Sequence, residues 1–135
     1  MINNFEKINL NPKELKTNDC VIRAIAYAIH DSWENVYQDL CELGLKLKRM
    51  PNDKKVFEKY LDKIGWYKHK QPRKWDNTKY TIDEFCEIAP HDVYIISVAK
   101  HLTIVDNAVI KDTWNCGHKS VGNYWCKKIR QIGDK

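Results

Sequence analysis

A chain of 135 residues is long enough for one domain with a substantial core, spanning 1–135, and too short for two ordinary ones. Its 43% hydrophobic and 30% charged residues are the proportions of a folded globular chain and exclude a disordered tail. The net charge of +5 favours weak attraction to anionic surfaces but falls short of the clustered basicity of a dedicated nucleic-acid binder.

Residues 1–16 are polar and read as an irregular lead-in with no apolar run of signal-peptide length. No stretch reaches the ~18 consecutive apolar residues of a membrane span, so no membrane contact and a cytoplasmic location are expected. Thr17, Asn18 and Asp19 offer successive N-caps for an apolar run from Val21 to Ile29, which predicts a largely buried helix over 19–29. Asp31 and Glu34 make a capping box for a second helix ending at Gly44. Asn52 caps a third helix, which carries Val56, Phe57, Tyr60, Leu61 and Ile64 and stops at Gly65. Residues 66–80 mix aromatic and basic side chains and read as irregular. Thr81 and Glu84 cap a short helix through Ile88, closed by Pro90.

From there the period changes to that of strands, at 93–98, 101–105, 108–112 and 124–129. Helices first and strands later predict an α+β fold with a small antiparallel sheet.

The five cysteines, Cys20, Cys41, Cys86, Cys116 and Cys126, are odd in number and irregular in spacing, a poor disulfide framework. No CxxC pair occurs, so neither a metal nor another cofactor is expected. Cys20 differs from the rest in standing in the first turn of a helix. Backbone N–H groups and the positive end of the helix dipole there stabilise a thiolate and an oxyanion. A packed core cysteine is the competing reading.

The strands supply a possible partner for Cys20. With Asp106-Asn107 as a two-residue turn, Val105 faces Ala108, Ile104 faces Val109, Thr103 faces Ile110, and His101 faces Asp112. Directly opposed residues share a face, their Cβ atoms roughly 4.5–5.5 Å apart. Asp112 is then expected to hold His101 through Nδ1–H and leave the other nitrogen for a thiol. A surface cross-strand pair is the alternative.

Asp19-Cys20 opening an apolar helix, a later His at a strand start and an Asp ending the next strand resemble papain-like cysteine peptidases. The likeness is to the compact bacteriocin-processing branch, whose nucleophile also follows an Asp. Asp112-Thr113-Trp114 is similar to the Asn-Ser-Trp of papain-type enzymes, and the small size is similar to proteins carried by bacteriophages and prophages. The resemblance covers roughly residues 15–30 and 92–126. It implies a Cys20–His101–Asp112 triad hydrolysing an amide bond in a peptide or protein. Family members carry a Gln before the nucleophile; none precedes Cys20, and Asn18 is the residue left for the oxyanion role. Trp114, Tyr124 and Trp125 become candidate substrate-binding walls.

Two other readings stand beside this one. A phage-encoded binding module on the same scaffold would act without catalysis on a host protein or nucleic acid, with the basic segments 46–49 and 68–75 as weak contacts to a nucleic acid or an acidic partner. An amidase or transglutaminase-like acyl transferase would use the same three residues. Among the remaining histidines, His30 reads as a helix C-terminal residue, and His69 and His91 as solvated loop positions. Cys116 with His118 is an alternative dyad.

Overall fold

The computed structural model describes residues 4–129 and 132–133; the first three residues of the expected lead-in and the chain's last two lie outside them. The described residues form four helices and a six-stranded sheet, an α+β arrangement. Helix α1 covers Cys20–Ile29, α2 Trp33–Leu47, α3 Lys54–Lys63 and α4 Ile82–Ile88. Strands β1 to β6 are Phe5–Lys7, Tyr67–His69, Val93–Val98, His101–Asp106, Val109–Asp112 and Tyr124–Cys126, in the order β1-β5-β4-β3-β6-β2.

The expected all-antiparallel sheet is corrected in one place, since β1, within the supposed lead-in, pairs parallel with β5. The sheet is therefore mixed. The stretch expected to be irregular also contributes β2, paired antiparallel with β6.

Strand alternation divides the core in two. Ile95, Leu102, Ile104 and Trp125 point towards the helices α1, α2 and α3, where Ile25, Val36, Leu40, Phe57 and Leu61 close the layer. Tyr94, Ile96, Val105, Ile110 and Tyr124 point the other way, against Ile82 and Phe85 of α4. The helix α1 is buried around most of its circumference because its only charged side chain, Arg23, has a dedicated set of partners.

Local capping follows the sequence at α4, where Thr81 and Glu84 make the reciprocal box. In α2 the cap is Ser32, whose side chain accepts from the Asn35 N–H, and the helix runs through Gly44 to Leu47. Gly44 is needed for space rather than as a stop, because a Cβ there would lie 2.6 Å from the Arg49 carbonyl oxygen. In α3 the capping side chain is Asp53, one residue later than expected.

The β4–β5 register also departs from expectation. Asp106 pairs with Val109, Val105 with Ile110 and Ile104 with Lys111, so the turn is Asn107-Ala108, both at positive φ (52° and 67°). Alanine is a poor residue for that conformation, which is why the sequence points to Asp106-Asn107 instead. Asp106 is held in the strand by the Tyr27 hydroxyl, which donates to it at 2.6 Å. The slip changes each pairing by two residues, so every side chain keeps its face.

Candidate functional site

Three element ends meet at one end of the sheet. Cys20 is the first residue of α1, His101 the first of β4 and Asp112 the last of β5. His101 and Asp112 are diagonal rather than directly opposed, because of the two-residue change in register. They nevertheless meet, with His101 Nε2 2.6 Å from Asp112 Oδ2. The nitrogen differs from the expected Nδ1, which is left on the opposite side of the ring. Thr103, the residue that continuing the register sets against Asp112, donates its hydroxyl to the same oxygen at 2.5 Å.

The second carboxylate oxygen of Asp112 accepts from the Thr113 N–H at 2.7 Å and from Arg23 Nη1 at 3.2 Å. Arg23 reaches it from α1 while its Nε donates to Asp19 Oδ1 at 2.8 Å. Asp19 in turn accepts from Asn11 Nδ2 and Trp33 Nε1, each at 3.0 Å. Both carboxylates are buried, at 3% exposure. A single guanidinium thus ties the start of α1 to the end of β5. Arg23, Asn11, Trp33 and Thr103 were not singled out by the sequence, where an arginine in an apolar helix is the one visible anomaly.

Asp19 precedes α1 but its side chain makes no capping hydrogen bond. Its oxygens are taken by Asn11, Arg23 and Trp33, so the first-turn N–H groups of α1, which lack intrahelical acceptors, are not covered by it.

The charges set the titration of the group. Burial pushes the Cys20 thiol up, but hydrogen bonds from His101 and the Leu102 N–H, with the charges of His101 and Arg23, outweigh it and hold the thiol below its usual range. Burial disfavours the His101 imidazolium, yet bonds to Asp112, Cys116 and Cys20 push its pKa up to about 11. Burial opposes ionisation of Asp112 as well, and His101 and Thr103 hold it low regardless. Both directions favour the imidazolium–thiolate pair over the neutral one.

Cys116 is the site residue whose place the sequence did not reveal. Read there as a partner of His118, it is fully buried and donates instead to Asp112 Oδ2 at 3.8 Å. His118 is exposed and packs edge-on to Trp114. Ligand atoms of His101, Asp112 and Cys116 lie within 4.8 Å of one another and could hold a metal ion; as they stand, they bond to one another.

Two clefts share Asn18 in their walls, and Cys20 lines the smaller of them. One, of about 470 Å³, is lined by Cys20, Val21, Asn52, Lys54, Phe57, Ser97, Lys100 and His101, among others. The other, of about 720 Å³, runs past Lys7, Lys16, Arg23 and Trp114. Trp114 is 39% exposed, its ring centroid 5.1 Å from that of His101, so it covers one side of the imidazole. The other two expected walls are corrected. Tyr124 and Trp125 are each 1% exposed because β6 is an interior strand with a core layer on either face. Trp125 packs behind Phe57, and Tyr124 stacks on His69, which lies in β2 rather than in a loop.

The basic segment 68–75 borders a separate groove of about 640 Å³, lined by Lys68, Lys70 and Arg73 among others. No described helix is long and apolar enough to cross a membrane. Comparison of the chain with family models, with curated proteins and with solved structures finds no match.

Proposed function

We propose that the protein is a papain-like cysteine hydrolase that cleaves an amide bond in a peptide or protein. The observation that carries this is the position of His101, bonded to the Asp112 carboxylate and lining the same open cleft as Cys20, whose thiol is held below its usual range. The thiolate of Cys20 attacks the carbonyl carbon, and the oxyanion takes hydrogen bonds from the Cys20 backbone N–H and the Asn18 side chain. His101, through Nδ1, gives its proton to the leaving amine. It then takes one from water, which releases the acyl group from sulfur. Asp112 keeps the ring in place through Nε2–H, and Arg23 keeps Asp112 in place.

Alkylation of Cys20 by iodoacetamide, followed by peptide mass spectrometry, tests the reading. Cys20 should react at pH 6 at least about tenfold faster than a free thiol and lose that advantage in His101→Ala. Cys86, Cys116 and Cys126 are buried and should stay unlabelled in the folded chain. Reaction of Cys20 only above about pH 8.5, at the rate of a free thiol, would remove the basis for a thiolate nucleophile.

The groove along Lys68, Lys70 and Arg73 favours a second reading, a non-catalytic module that binds an anionic partner. Salt-sensitive gel shifts with DNA or RNA that are lost in Lys70→Glu/Arg73→Glu would support it.

A further inference from the structure

The 470 Å³ cleft beside Cys20 has a one-sided charge. Lys54 and Lys100 stand in its wall, His101 adds a third cation when protonated, and no Asp or Glu takes part in the lining. Lys54 opens α3 and donates to the neutral Asn123 Oδ1 at 2.9 Å, which leaves its charge uncompensated by that contact. Lys100 precedes His101 in the two-residue turn joining β3 to β4, its φ of 57° fixing the backbone next to the imidazole. The nearby acids are engaged elsewhere, Asp53 with Arg49 and the Lys55 N–H, and Glu58 with Lys68. A cleft lined by one sign of charge against apolar walls, here Val21 and Phe57, concentrates its field on whatever enters.

Resting on the hydrolase reading, we infer that the substrate is an acidic peptide, with a carboxylate side chain next to the scissile bond seated between Lys54 and Lys100. The volume suits one or two side chains. The two lysines would then select the substrate while Cys20 and His101 carry out the chemistry. The other cleft, which contains Glu14 as well as Lys7 and Lys16, has no such bias.

Two alkylating agents separate this inference from the one beneath it. Iodoacetate and iodoacetamide share the reacting carbon and the leaving iodide but differ in carrying a carboxylate or an amide. On the full chain, the iodoacetate-to-iodoacetamide rate ratio at Cys20 should exceed that in Lys54→Ala/Lys100→Ala by about three- to tenfold. The gap should shrink as salt is raised from roughly 20 mM to 500 mM. A charge-matched control on exposed positions of the same helix, Lys59→Ala/Lys63→Ala, should keep the wild-type ratio. Peptide acyloxymethyl ketones with Glu beside the electrophile should label Cys20 faster than those with Gln, and the preference should vanish in the Lys54/Lys100 variant. A ratio unmoved by that variant, or a Gln probe that matches the Glu probe, overturns the acidic-substrate inference and leaves the thiolate standing. An iodoacetamide rate no faster than a free thiol overturns both.

Discussion

Arg23 is the residue on which the most depends without touching the cleft's chemistry directly. Its guanidinium sits between two buried carboxylates, with its own side chain 13% exposed. Removing it leaves Asp19 and Asp112 as uncompensated charges, which is far costlier than the worth of the ion pairs themselves. Arg23→Met is therefore expected to lower unfolding free energy by about 3–5 kcal/mol in urea titrations. Arg23→Lys should recover only part of this, because one ammonium lacks the planar fork that reaches both partners. Where Arg23→Lys folds, the midpoint of the iodoacetamide pH–rate curve at Cys20 should stay near the wild-type value, since the charge that lowers the thiol is retained. In Asp112→Asn the midpoint should rise towards the free-thiol value of about 8.5, since the imidazolium loses its counter-ion.

At the scale of elements, the β4–β5 turn and the α2 glycine make opposite predictions. Ala108 sits at φ 67° with a Cβ that resists it, so Ala108→Gly should raise stability by roughly 0.5–1 kcal/mol after the glycine's extra unfolded-state entropy is counted. Gly44→Ala gains up to about 1 kcal/mol of helix propensity, but its Cβ meets the Arg49 carbonyl, and overpacking of that kind costs about 1–3 kcal/mol. A net loss is expected in the denaturation midpoint. The same two places explain what was legible in the sequence. The Thr81–Glu84 box and the apolar period of α1 are local signals and appear where expected. The turn was misplaced by one residue because tertiary partners of Asp106, Tyr27 and the opposite strand, override local turn preference. Strands β1 and β2 were not legible at all: three residues each and mostly polar, they are defined by the neighbours they pair with.

Over the whole molecule, Cys20, His101 and Asp112 were legible because each stands at the end of a strongly patterned element. The supporting residues bond across 4 to 89 positions and carry no pattern of their own. Their collective effect is a particular dependence of stability on pH. Asp19 and Asp112 are held low, so their contribution is present above the unfolded carboxylate value of about 3.9 and is lost as pH falls through their folded values. Cys20 is also held low, so its contribution grows with pH until the unfolded thiol ionises near 8.5. His101 is held high, so its contribution is complete below the unfolded value of about 6.5 and declines as pH rises towards about 11. Between about 6.5 and 8.5 the folded chain keeps the His101 proton that the unfolded chain has lost, while the lowered Cys20 thiol acts in the opposite sense. The two terms oppose each other, so unfolding free energy should fall less steeply with pH across that window than His101 alone would make it. Above it stability should fall, helped by buried Cys86, whose thiol is pushed up to about 12. Cys20→Ser removes the opposing term. Its stability should then decline from about pH 6.5 onward, at up to about 1.4 kcal/mol per pH unit. Urea titrations of both chains at half-unit steps from pH 5 to 9 check this. Parallel curves would mean that Cys20 and His101 do not exchange their proton in the folded protein.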